Sequence, residues 1–222
     1  MALATTSAVS PTRLKSYCAI SSDSRASPSQ SAIAWAISSG CWPPSVRVRA
    51  MSFVEELAAA EIGATFNFYR EGPRAGLLRR RLDAYLEARR HARILLVGEA
   101  PGYRGARISG LPFTSERQLT GTGPAEATAT IVQRVLAEVE QDVICWNIVP
   151  THPGTERSNR RPTRAEITAG SRFAARLARG RSVLAVGGLA AAALDTTYIR
   201  HPSHGGAREF REGLLRFAAG GR

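Results

Sequence analysis

The chain is almost without lysine: Lys15 is the single lysine among 30 basic residues. A Schiff-base step needs an amine nucleophile, and residues 51–222 offer no lysine for one. Cysteine is nearly as scarce. Cys18, Cys41 and Cys145 are too few for a disulfide framework, and no C-x-x-C pair suggests zinc. No metal and no cofactor are expected. No apolar run reaches the roughly eighteen residues of a membrane span. Acidic residues are outnumbered, 18 against 30, for a formal net charge of +12. That excess suits a polyanion such as nucleic acid; an arginine-biased genome would produce it too. Glycine occurs without phosphate-binding spacing. In residues 95–105, LLVGEAPGYRG, Gly98, Gly102 and Gly105 fit neither the P-loop nor the dinucleotide pattern.

What is present divides in two. Residues 1–50 hold twelve serines and one acidic residue, Asp23, with no sustained helical or strand period. They read as a disordered or misassigned N-terminal extension. Translation beginning at Met51, a Ser/Arg-rich transit peptide, and a basic tail on DNA are its three readings. Residues 51–222 alternate helix and strand patterns. Ser52 and Glu55 have capping-box spacing ahead of a first helix. Leu78, Leu82, Tyr85 and Leu86 mark a second, and 94–97 a short buried strand. Val132, Val135, Leu136 and Val139 mark another helix, followed by a strand over 143–149. Thr163 and Glu166 repeat the capping box. A third strand at Ser182–Val186, a fourth over 196–200 and a helix over 207–217 complete the pattern. This alternation predicts an α/β fold: a three-layer αβα arrangement around a central, mostly parallel four-stranded sheet.

Ligand crevices in such sheets lie outside the carboxyl ends of the strands. The first strand runs into Gly98-Glu99-Ala100-Pro101-Gly102. The second delivers Asn147 and then His152, and the fourth delivers His201-Pro202-Ser203-His204-Gly205-Gly206. One sheet edge therefore collects a carboxylate, an amide and an imidazole. Each has an ordinary reading: a solvated turn acid, an amide bonded to its own backbone, a loop histidine. Phe113 reads as a core aromatic, and Arg79-Arg80-Arg81 as a solvated helix face. Their joint placement favours a site.

The ordered set Gly98-Glu99-Ala100-Pro101-Gly102, Gly110-Leu111-Pro112-Phe113, Asn147, Asn159-Arg160-Arg161-Pro162-Thr163 and His201-Pro202-Ser203 resembles the uracil-DNA glycosylase superfamily. It is most similar to the bacterial and archaeal branch that carries an iron–sulfur cluster, over roughly residues 92–217. The resemblance implies that residues 51–222 form one glycosylase-like domain that hydrolyses the N-glycosidic bond of uracil or a related deaminated base. It implies catalytic roles for Glu99, which activates water, and for His201, which donates to the pyrimidine O2. Gly98, Ala100, Phe113 and Asn147 would bind the base, with Phe113 stacking on it and Asn147 reading its edge. Pro101, Gly102, Ser203, His204 and Arg208 would hold DNA. The implied partner is DNA with a flipped base, handled by a monomer away from membranes. The implied location is the cytoplasm, at the bacterial nucleoid, or an organelle if residues 1–50 are a transit peptide.

The chemistry suits these residue types independently. Breaking a pyrimidine–sugar bond leaves negative charge on the base, which an imidazole N–H at O2 stabilises. It leaves positive charge on the sugar, where a carboxylate stabilises the cation and orients water. An Asn amide offers a donor beside an acceptor, as the imide edge of uracil requires. A base inside a duplex must first be flipped.

The chain departs from the pattern in four places. It lacks the four cluster cysteines, so no cluster is expected. An acidic pair that helps exclude thymine is replaced by Gly105-Ala106, leaving Tyr103 to crowd a 5-methyl group. In other branches the water-activating residue sits where this chain has Ala100. The bulky wedge after His-Pro-Ser is replaced by His204-Gly205-Gly206. Two alternatives stay open: a relative that binds nucleic acid without excision, and a small-molecule hydrolase on a similar scaffold.

Overall fold

The computed structural model describes residues 50–220, so the readings of residues 1–49 lie outside it. The first helix, α1 (Phe53–Ala59), opens with the expected capping box. The Ser52 hydroxyl accepts the Glu55 N–H (3.2 Å), and the Glu55 carboxylate accepts the Ser52 N–H (2.7 Å). Next come α2 (Ala75–Ala88), β1 (Ile94–Gly98), α3 (Ala106–Ser109), α4 (Glu116–Thr120), α5 (Ala127–Leu136) and β2 (Val143–Asn147). A small hairpin, β3 (Gly154–Thr155) with β4 (Ser158–Asn159), precedes α6 (Arg164–Ala178). The chain continues through β5 (Ser182–Val186), α7 (Gly188–Leu194), β6 (Tyr198–Ile199) and α8 (Ala207–Gly220).

The four long-range strands form a parallel sheet in the order β2-β1-β5-β6. All five residues of β1 are buried, as a strand covered on both faces requires. Its side chains alternate between two cores. Leu95 and Val97 pack with Leu57, Leu82, Trp146 and Phe173 on the α1, α2 and α6 face. Ile94 and Leu96 pack with Val132, Val135, Phe210 and Leu214 on the α5 and α8 face. The predicted three-layer αβα architecture is therefore the one observed. The chain leaves β1 for β2 on one side and later returns to β5 on the other. That reversal opens a crevice at the carboxyl ends of the strands.

Some boundaries move. β2 ends at Asn147, two residues before the expected 149, yet the Ile148 and Val149 N–H groups still bond the Gly98 and Glu99 carbonyls (2.8 and 3.0 Å). The fourth strand shrinks to Tyr198–Ile199, on the sheet edge with Tyr198 exposed. α5 ends before Val139, which lies in the following turn. The short helices α3, α4 and α7 and the β3–β4 hairpin were not expected from sequence; none is long enough to establish a period.

α6 begins with the predicted second box. The Glu166 carboxylate accepts the Thr163 N–H (2.8 Å), and the Thr163 hydroxyl accepts the Glu166 N–H (3.2 Å). The Arg160 guanidinium grips the same carboxylate with both of its terminal nitrogens. Glu166 is only 1% exposed, and Arg160 holds its carboxyl down at about 2. Among the described residues, no helix is long and apolar enough to cross a membrane.

Candidate active site

A cavity of about 450 Å³ opens where the sheet topology reverses. Residues following all four parallel strands reach it: Glu99 to Gly102 after β1, Asn147 at the end of β2, Gly187 after β5, and His201, Ser203 and His204 after β6. Phe113 lines it as well. The acid, amide, imidazole and benzene ring expected from sequence thus share one cavity.

Backbone pairing sets the first two. Gly98 sits opposite Asn147 in the β1–β2 register, and Asn147 is only 5% exposed. A side chain on Gly98 would collide with the Phe113 ring and crowd Asn147 Oδ1. Gly98 is therefore the floor on which ring and amide meet. One residue on, Glu99 is half-buried. Burial pushes its carboxyl above the usual carboxylate range, and the positive charge of Arg161 partly opposes that shift.

The turn after Glu99 is pinned from outside. His152 places Nδ1 2.8 Å from the Pro101 carbonyl oxygen and Nε2 2.8 Å from that of Thr155. Asn159 Oδ1 accepts the Tyr103 N–H (2.9 Å). His152, read from sequence as a loop residue, is fully buried and ties this turn to the β3–β4 hairpin. Tyr103 lines a neighbouring shallow groove with Arg104 and Arg157 rather than the cavity. The expectation that it crowds a 5-methyl group is corrected: its backbone is held by Asn159, and it lines that groove and not the cavity.

Phe113 belongs to the α5-side core and also lines the cavity. Its φ is 50°, a left-handed conformation that bulky residues rarely adopt. Gln133 holds it there, donating from Nε2 to the Phe113 carbonyl and to Thr114 Oγ1 (both 3.1 Å). Local strain of this kind gathers at functional sites.

His201 is oriented by the turn that follows it. The Ser203 backbone N–H points at His201 Nδ1 (3.2 Å), with Ser203 Oγ at 2.7 Å. Nδ1 is therefore the acceptor. From this pattern the ring proton is assigned to Nε2. Burial, helped by the nearby His204, lowers the His201 pKa and favours the neutral ring. His204 reaches the other side of Ser203 Oγ (3.0 Å) from a left-handed backbone, φ 53°. Ser203, expected to hold phosphate, has its hydroxyl engaged between two imidazoles. Arg208 is exposed on the first turn of α8 and does not line the cavity.

Sequence reasoning missed other walls. Glu126 and the Gly187-Gly188-Leu189 start of α7 line the cavity, as do Asn159 and Arg160, which the motif set named without a role. The Gly-Gly pair after β5 was a usable signal. Glu126 lies in a loop with no motif of its own.

An iron–sulfur cluster needs several cysteine thiolates. Cys145, the lone cysteine of residues 51–222, is buried within β2, where desolvation pushes its thiol up to about 12. These residues do not fit a cluster, and none enters the chemistry below.

Comparison with known proteins agrees with the geometry. The family model of the uracil DNA glycosylase superfamily matches residues 86–216. The crystal structure of wild-type SMUG2 from Pedobacter heparinus is similar in fold, with a TM-score of 0.54 at 13% identity. The match covers 77% of this chain and 98% of that one. No curated protein sequence matches the chain. A family model that spans most of the folded residues, on a sheet whose strand ends meet in one cavity, leads to a single assignment: the chain belongs to the uracil DNA glycosylase superfamily.

Proposed function

We propose that the protein is a monofunctional DNA glycosylase that hydrolyses the N-glycosidic bond of uracil, or a related deaminated base, as a step of base-excision repair. The observation that carries this reading is the convergence of Glu99, Phe113, Asn147 and His201 on one cavity. A flipped pyrimidine would stack on Phe113 and present its imide edge to Asn147. As the C1′–N1 bond breaks, its electron pair moves into the base and onto O2. The His201 Nε2–H meets that oxygen as a neutral donor, the form that its depressed pKa favours. Glu99 faces the sugar cation and takes a proton from the water that attacks C1′. Its raised pKa makes it a better base than a solvated carboxylate. The products are the free base and an abasic site.

Asn147 and Phe113 have the flat geometry that a nucleobase needs, which favours excision over small-molecule hydrolysis. The surrounding cations suit a nucleic acid strand. Arg104 and Arg157 line the adjoining groove, and Arg208 follows the histidine turn. The test is alkali-induced breakage of a uracil-containing oligonucleotide after incubation with the protein. Wild-type protein is expected to generate breaks at uracil, and Glu99→Gln and His201→Ala, with folding intact, to generate far fewer. Equal rates in all three would defeat the assignment of these residues.

A further inference from the structure

Glu126 is a second carboxylate in the cavity, and the chemistry above does not use it. It stands at the N-cap of α5 but makes no capping hydrogen bond there. Its side chain turns instead against the first-motif turn. A Cβ at Gly102 or at Gly105 would collide with the Glu126 carboxylate oxygens. The two glycines that fit no phosphate-binding pattern therefore make room for this acid. Among the described residues, the carboxylate has no hydrogen-bonding or ion-pair partner. Burial pushes its pKa upward. An unpartnered, desolvated carboxylate costs stability, and such a cost is characteristic of a position kept for function.

Its placement defines a wall of the base pocket. C2 and C5 lie opposite each other on a pyrimidine ring. A base with O2 toward His201 turns C5 away from it. His201 follows β6 at one edge of the sheet, while Glu126 leads into α5 and β2 at the other. The C5 edge then meets the wall formed by Gly102 and Glu126. Hydrogen at C5 leaves the partly buried carboxylate the water that still reaches it. A methyl there would press against it and strip its water.

We propose that Glu126 is the specificity-determining residue that excludes thymine from this pocket. The inference rests on the uracil reading above. It is tested by single-turnover excision of uracil and of thymine from matched oligonucleotides, using wild-type protein, Glu126→Ala and Glu126→Asp, with thermal melts to check folding. Wild type is expected to release uracil and reject thymine. Glu126→Ala is expected to keep uracil release within about tenfold and to lower the uracil-to-thymine ratio at least tenfold. Discrimination worth one methyl spans about 10–200-fold. Glu126→Asp withdraws the carboxylate by one methylene while keeping its charge, and is expected to lower the ratio by a smaller factor. A merely structural role would slow both bases alike. An unchanged ratio in the folded variants, or loss of all release in both, overturns the proposal while leaving the uracil reading intact. Wild-type protein that releases no uracil overturns that reading and this inference with it.

Discussion

Adding one carbon to the floor of the cavity should damage activity more than stability. In Gly98→Ala the new Cβ would collide with Phe113 Cζ and lie 3.1 Å from both Phe113 Cε2 and Asn147 Oδ1. Ordinary contacts for a Cβ are 3.4–4 Å. Neither neighbour retreats easily. Asn147 ends a fully buried strand, and the Phe113 carbonyl is tied to Gln133. Overpacking of this kind costs about 1–3 kcal/mol. For a domain of this size, that is a drop in Tm of about 2–12 °C. A displacement near 1 Å of groups that position a reacting base costs on the order of 10²-fold in rate. The assay is single-turnover uracil release, read beside a thermal melt. Gly220→Ala, whose Cβ would meet nothing within 4 Å, is the control. Gly98→Ala that melts lower yet releases uracil within threefold of wild type would refute the idea that Phe113 and Asn147 jointly position the base.

Four further outcomes follow from individual groups. His201→Ala is expected to lower the excision rate by about 10²–10³, the usual loss for one oxyanion donor, measured at saturating enzyme. Glu99→Gln is expected to lose activity and to melt higher than wild type at neutral pH. The native carboxyl has a raised pKa, so the fold favours its protonated form; that contribution is full below the ordinary value of 4.5 and is lost as pH rises through the raised value. The melting advantage of Gln should therefore shrink toward pH 4. Glu166→Gln is expected to destabilise by about 2–4 kcal/mol, toward the lower end of what breaking a buried ion pair costs, because the Arg160 side chain is 39% exposed. The Glu166 pKa is depressed, so its contribution is present above the ordinary 4.5 and is lost as pH falls through about 2. Urea melts of wild type and variant should converge in acid. Arg208→Ala is expected to weaken binding of a single-stranded oligonucleotide and to flatten the log–log salt dependence by about 0.7, one phosphate contact's worth; an unchanged slope would remove Arg208 from the DNA interface.

The sheet was legible in the sequence because β1 and β2 are buried on both faces. Runs such as Leu95 to Val97 have no polar interruption, and Ser52–Glu55 and Thr163–Glu166 announce helix starts by local hydrogen bonding alone. The strand-end rule then gathered Glu99, Asn147 and His201 correctly, since parallel topology fixes which ends share a crevice. What stayed hidden depends on contacts between distant segments. His152 looked like a loop residue because its two carbonyl partners, at Pro101 and Thr155, belong to turns that meet only after folding. Glu126 carried no local signal; only the missing side chains at Gly102 and Gly105 mark the space it fills. Tyr103 was expected to crowd a 5-methyl group because Gly105-Ala106 replace an acidic pair, but its N–H bonds Asn159 and the residue lines the adjoining groove.

The central claim is that one pocket takes a flipped uracil and cuts it from its sugar. Chromatographic detection of free uracil released from a uracil-containing single-stranded oligonucleotide measures that event itself. Wild-type protein is predicted to release it in amounts matching the alkali-labile sites formed, and Asn147→Ala to release it far more slowly. Oligonucleotide that stays intact and retains its uracil with folded wild-type protein would contradict the account.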